Sequence, residues 1–158
     1  MGKWNRADNL DGLIWFLDNV YPLLAKDIKI AIYGKWMPEN IIKRINDEVR
    51  IEYYGFVKNP YPDIANSLAM ISPLFSGAGV KVKVVEALAC GTPVVGTDIA
   101  FEGISKDYIL FMKQANNAEI FAKLINGMDI SISERRQFKK KFLQSYHNKN
   151  IINFINQL

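Results

Sequence analysis

The sequence predicts an α/β domain of three layers, Rossmann-like, with a mostly parallel sheet between helices. Three observations carry this. Short runs rich in β-formers, several closed by a glycine, alternate with segments of helical periodicity. The connections between them are short, which implies βαβ units and parallel strands covered on both faces. The 158 residues are 49% hydrophobic and 12% aromatic, enough for the core of one compact domain. No internal repeat or low-complexity stretch interrupts the alternation.

Residues 1–3 read as the tail of a strand. Asn9 is the expected N-cap of a helix in which Leu10, Leu13, Ile14, Leu17 and Val20 recur at helical spacing, with Pro22 near its end. A strand over 29–33 stops at Gly34, and a helix over 38–46 carries Pro38 in its first turn. A strand over 49–54 is closed by Gly55; a short helix over 61–67 and a buried strand over 69–75 follow. The clearest helix spans 80–89 and is opened by Ser76-Gly77-Ala78-Gly79. Strands over 93–96 and 108–112 come next, then helices over 117–128 and 133–146, the latter with Ser133 as N-cap. Apolar positions over 148–158 fit a final helix.

Composition narrows the function. Twenty Lys and Arg against sixteen Asp and Glu leave a mild excess of +4, which suits a phosphorylated small ligand as well as it suits RNA. The single Cys90 excludes a disulfide framework and a multi-cysteine zinc site, and His147 alone makes no His-based metal centre. No apolar run approaches the roughly 20 residues that cross a bilayer, and the N-terminus lacks a signal-peptide core, so a soluble, cytoplasmic protein is expected.

Ligands of parallel α/β sheets bind beyond the carboxyl ends of the strands. Of the loops placed there, residues 76–79 carry the most chemistry. Gly77 and Gly79 let the backbone turn tightly and approach a ligand, and the free amides of the first helical turn attract anions. Lys81 and Lys83 add positive charge where the helix dipole disfavours it, a cost that a bound anion offsets. Lys83 and Glu86 share a face one turn in. A phosphate on Lys83 would bring an attached ribose to the Glu86 carboxylate. The plainer reading is an ordinary glycine turn before a helix, with Lys83–Glu86 a solvated pair worth about 0.3–0.5 kcal/mol. The loop is neither a GxxxxGK[ST] nor a GxGxxG motif.

The run Gly77-Ala78-Gly79-x-Lys81-x-Lys83-x-x-Glu86-Ala87-Leu88-Ala89-x-Gly91-x-Pro93-Val94-Val95-x-Thr97, with Glu102-Gly103-Ile104 after it, closely resembles the signature of group 1 (family 4-like) glycosyltransferases. Gly2, residues 9–16, Pro22, Gly34 and residues 55–57 extend the likeness over essentially the whole chain. The resemblance implies the carboxyl-terminal, donor-binding half of a retaining GT-B enzyme, built from two facing Rossmann-like domains. It implies that Glu86 holds the donor ribose and that Gly77, Ala78, Gly79 and Val80 line the diphosphate or sugar. Lys81 and Lys83 would stabilise the leaving phosphate. The partners implied are a nucleotide-sugar and an absent amino-terminal acceptor domain, with no nucleic acid, no metal and no cofactor beyond the donor substrate. A fragment inactive by itself is expected, and the nucleobase is assigned to backbone contacts of residues 55–59.

Two departures stand out. The family's Glu-x7-Glu pattern would put its first glutamate at position 78, which is Ala78 here. The first loop, residues 3–9, matches the family's Arg…Lys pair only partly, leaving Lys3 and Arg6 as weak phosphate candidates. Cys90 is expected buried rather than nucleophilic, and His147 at the surface. Asp98 and Glu102 could reach a ligand, but Glu102-Gly103 is read as shaping a turn. Arg135, Arg136, Lys139, Lys140 and Lys141 make a basic helix face, read as solvated, with contact to anionic lipid at an inner membrane face as its functional counterpart. Trp15, Phe16 and Trp36 mix core with surface. Two rival readings are a non-catalytic nucleotide-binding or subunit-docking domain, and a sugar epimerase of the same architecture.

Overall fold

The computed structural model describes residues 1–146, which hold six short strands and six α-helices, alternating as far as β5. His147 and the expected helix over 148–158 lie outside the described residues. Strand β1 (Gly2–Lys3) leads into α1 (Ala7–Trp15), and β2 (Ile30–Lys35) into α2 (Glu39–Asn46). Next come β3 (Ile51–Gly55), α3 (Tyr61–Asn66), β4 (Met70–Ser72) and α4 (Val82–Ala89). The described residues close with β5 (Val94–Gly96), β6 (Met112–Gln114), α5 (Ala118–Asn126) and α6 (Ile132–Ser145).

All strand pairs are parallel, in the orders β1-β2-β3 and β4-β5-β6. An apolar cavity of about 220 Å³, lined by Ile30, Ile32, Met70 and Ile71 among others, lies between β2 and β4. Packing, rather than a shared ladder, joins the two sheets. Val95 points into a cluster with Leu13, Phe16, Ile30, Ile51 and Phe121, which draws on both sheets, α1 and α5. Its neighbour Val94 points the other way, into a cluster with α3, α4 and Phe142 of α6. This is the period-2 alternation of a strand buried on both faces. Coverage is not uniform: Ala31, Glu52 and Tyr54 leave the outer face of β2–β3 exposed.

Several element bounds differ from the expected ones, each for a local reason. The N-cap of α1 is Arg6, and Asn9 lies inside the first turn, where its side chain is drawn into tertiary contacts. Past Trp15 the helix widens into one π-turn over Phe16–Val20, which puts Phe16, Leu17 and Val20 all in the core. Strand β6 starts four residues later than the expected strand over 108–112. Tyr108 and Phe111 are buried three apart while Ile109 and Leu110 stand 62% and 73% exposed, a turn pattern that a 3-10 helix at Lys106–Tyr108 satisfies. Helix α6 is capped by Ser131, not Ser133: Ser131 and Glu134 make a reciprocal capping box. Asn117 caps α5 as its sequence implies, accepting from the amide of Ile120.

Candidate functional site

The loops after β1, β2, β3 and β4 open on one cleft of about 910 Å³. Gly77, Ala78, Val80, Lys81, Lys83 and Glu86 line it, facing Lys3, Arg6, Asp8 and Asn9 from the first loop and α1. Trp36, Phe56, Lys58 and Tyr61 complete the wall. Of the residues predicted on the glycine loop and α4, Gly79 alone is not in this lining, although it is exposed; Asp98 and Glu102 also lie outside it. The lining holds six cations, Lys3, Arg6, Lys35, Lys58, Lys81 and Lys83, against the carboxylates of Asp8 and Glu86. Such an excess in a concave site favours an anion.

The glycine loop has the geometry its residues permit. Gly77 and Gly79 take φ of 95° and 78°, the left-handed region that costs glycine least. Lys81 is extended and serves as N-cap, so α4 starts two residues later than expected. No side chain caps this start and no acidic residue occupies the first turn. The positive end of the helix dipole is therefore left to whatever enters the cleft.

Glu86 sits one turn further, half-buried, and accepts a hydrogen bond from the Tyr61 hydroxyl at 3.0 Å. Burial raises its pKa, and the bond from Tyr61 works against that rise. Burial, and then the Glu86 carboxylate beside it, push the Tyr61 hydroxyl well above its ordinary range. Tyr61 begins α3, so a helix from another βαβ unit orients the glutamate; nothing in the spacing of residues 61 and 86 announces this. Lys83 donates at 2.7 Å to Asn9 Oδ1, and Asn9 in turn donates to the Lys3 carbonyl at 3.2 Å. Asn9 thus ties α4 to α1 and aims the lysine. Desolvation is the main cause that brings Lys83 down to about 8; nearby Arg6 and Lys81 add to it, while Asp8 opposes it.

Lys81 behaves differently from Lys83. Its ammonium folds back to donate to the carbonyls of Gly77 and Gly79 and to Glu102 Oε2, the last at 3.3 Å. Glu102 also accepts from the Gly79 amide at 2.9 Å. The expectation that Glu102 merely shapes its own turn is therefore corrected: its carboxylate reaches the glycine loop. Asp98 caps the 3-10 helix Ile99–Phe101 and accepts from Ile99. In the first loop, Arg6 is held by Asp8 through bonds of 3.0 and 2.9 Å. Lys3 lies 5.8 Å from the centre of the Trp36 ring.

Trp36, 57% exposed, is the described non-glycine residue with positive φ (62°), a strained conformation for a bulky side chain at the rim of a cleft. Trp15 is half-buried against Phe75 and Phe121, and Phe16 is in the core. Cys90 is buried, and burial pushes its thiol up to about 11, away from reactivity. On the basic face of α6, Arg135 turns inward to donate to the Ser67 and Leu68 carbonyls, while Arg136, Lys140 and Lys141 stay exposed. Among the described residues, no three His, Cys, Asp or Glu side chains gather as a metal site, and no helix is long and apolar enough to cross a membrane.

Comparison with known proteins agrees with this layout. Residues 1–128 match the family described as glycosyl transferases group 1. A 44.6 kDa protein in the cps region of Klebsiella pneumoniae is 30% identical over 152 residues, covering 87% of this chain and 38% of that protein. The solved structure of WaaG, a glycosyltransferase involved in lipopolysaccharide biosynthesis, superposes with a TM-score of 0.68 at 11% identity, over 99% of this chain and 44% of WaaG. TarM gives 0.67 at 19% identity, over 99% of this chain and 33% of TarM. Anabaena HepE, solved with UDP and glucose, gives 0.62 at 17% identity, over 85% of this chain and 41% of HepE. The chain therefore spans a third to somewhat under half the length of each of these proteins.

Proposed function

The chain belongs to the group 1 glycosyl transferases, and from that membership we propose that its cleft binds the nucleoside diphosphate sugar donor of a retaining hexosyl transfer. The observation that carries the reading is the pairing, on one face of α4, of a half-buried lysine aimed by Asn9 with a half-buried glutamate held by Tyr61. A diphosphate at Lys83 and the uncapped start of α4 places a ribose one helical turn away, within reach of the Glu86 carboxylate. Tyr61 takes Oε1; the second oxygen remains to accept from ribose hydroxyls. That HepE was solved with UDP and glucose supports the same class of ligand here.

In this reading the bond from the sugar C1 to the diphosphate oxygen breaks as an acceptor hydroxyl attacks C1 from the same face, and the hydroxyl proton passes to the departing diphosphate oxygen. Negative charge grows on the departing diphosphate. Lys83, Lys81 and the first amides of α4 stabilise it in a site partly shielded from water, where such contacts are strongest. Ala78 offers no carboxylate to the sugar, so orientation of the sugar rests on backbone amides of residues 77–80. The acceptor, a saccharide or a lipid-linked sugar, and the domain that binds it would be supplied by a further amino-terminal half facing this cleft. The described chain alone would then bind donor without turning it over. The cps-region relative supports a place in polysaccharide synthesis.

Calorimetry with UDP, GDP and ADP tests the reading on the wild-type chain and on Glu86→Ala. One nucleotide should bind, and the variant should lose about ten- to hundredfold in affinity, the worth of hydrogen bonds to a charged acceptor. Equal binding in both proteins, or none in either at millimolar nucleotide, would overturn it.

A further inference from the structure

The Glu102 carboxylate occupies the two groups of the glycine loop best suited to a phosphate. One oxygen, Oε2, accepts from the Gly79 amide at 2.9 Å and from the Lys81 ammonium at 3.3 Å. The glutamate comes from beyond β5, more than twenty residues downstream of the loop, and its side chain is 51% exposed while that of Lys81 is 11% exposed. The turn that bears it is fixed against the loop. Gly103 has φ of 76°, and a Cβ there would stand 2.7 Å from Val80 Cγ2. The carboxylate is therefore presented by a rigid turn but is itself free to swing into solvent.

Resting on the donor-site reading above, we propose that Glu102 is an exchangeable counter-anion of the site. It neutralises Lys81 and caps the Gly79 amide in the empty cleft, and it leaves when a diphosphate takes those two donors. A carboxylate oxygen and a phosphate oxygen make the same bonds to an ammonium and an amide, so the two compete directly. A half-exposed ion pair is weak enough to be displaced. The pairing also keeps the loop closed around Gly77 and Gly79 while no ligand is bound, and sets a threshold that ligands of low charge do not pass. Lys83, bonded to Asn9, is not engaged by Glu102 and stays ready for the first contact.

Glu102→Gln separates competition from a structural clamp. Glutamine keeps an acceptor oxygen for the Gly79 amide and removes the negative charge, with an amide NH2 in place of the second oxygen. Titration of wild type and variant with inorganic pyrophosphate, nucleoside diphosphates and the parent nucleosides gives the answer. The variant should bind pyrophosphate and nucleoside diphosphate about fivefold more tightly, with no change for nucleosides. Unchanged or weaker diphosphate binding in the variant would overturn the exchange while leaving the donor site standing. Pyrophosphate binding strengthened in the variant, with no preference for any nucleotide, would uphold the exchange and remove the nucleotide reading. No binding to either protein would overturn both. Thermal melting of both proteins checks that the substitution leaves the fold intact.

Discussion

Lys83 is the residue whose environment has the sharpest measurable consequence. Burial brings its ammonium down to about 8, because the charged form loses hydration that Asn9 replaces only in part. A bound diphosphate restores favourable charge and raises that value again, so above pH 8 binding must be accompanied by proton uptake. Nucleoside diphosphate affinity should therefore hold up to about pH 8 and then fall, by at most about tenfold per pH unit. Lys83→Met should bind more weakly at neutral pH and show no such fall. Calorimetry across pH 7–9.5, in buffers of different ionisation enthalpy, reads both the affinity and the proton count. That the glycine loop, Lys83 and Glu86 line one cleft was legible in sequence, because they lie close together along the chain, on one loop and one helix face. Asn9 and Tyr61, which aim them, were not. Their partners lie 74 and 25 residues away, and a side chain that serves a distant element looks locally like a cap or a helix start.

At the level of elements, two segments of the second half of the chain show opposite relations between pattern and structure. Helix α6 depends on local chemistry: Ser131 accepts from the Glu134 amide and Glu134 reaches back to the Ser131 amide at 2.8 Å. Ser131→Ala should cost about 1 kcal/mol and lower the melting temperature by about 2–4 °C for a domain of this size. Ser133→Ala, at the position sequence alone favoured as cap, should change little. Two serines two residues apart are indistinguishable by type; the glutamate three residues on decides between them. The strand expected over 108–112 failed for a different reason. Its apolar run reads equally as strand or turn, and the aromatic packing of Tyr108 and Phe111 on Phe138 and Phe142 selects the turn. Alternation of strands and helices, by contrast, survived every such local shift, since it rests on many residues at once.

For the whole molecule, the joint between the two three-stranded sheets matters most. It is made by side chains, and Phe121 stands at its centre. Fully buried on α5, it meets Trp15 and Phe16 edge-on at 5.6 and 6.4 Å, within the cluster that also holds Val95 and Ile30. Phe121→Ala should destabilise the domain by about 3–5 kcal/mol, seen as a large drop in the denaturant midpoint. The cleft lies on this joint: its first loop belongs to the β1-β2-β3 half, and its glycine loop and α4 follow β4. A diphosphate gripped from both sides would tie the halves together, and its affinity should weaken as salt screens the cationic lining. The most direct test is a titration of the 15N-labelled chain with nucleoside diphosphates, followed residue by residue in solution. Saturable shifts should concentrate on the amides of residues 77–86 and of Asn9, with Tyr61 responding through Glu86. Shifts confined to the exposed basic face of α6 at Arg136, Lys140 and Lys141, with the glycine loop silent, would contradict a donor site in this cleft.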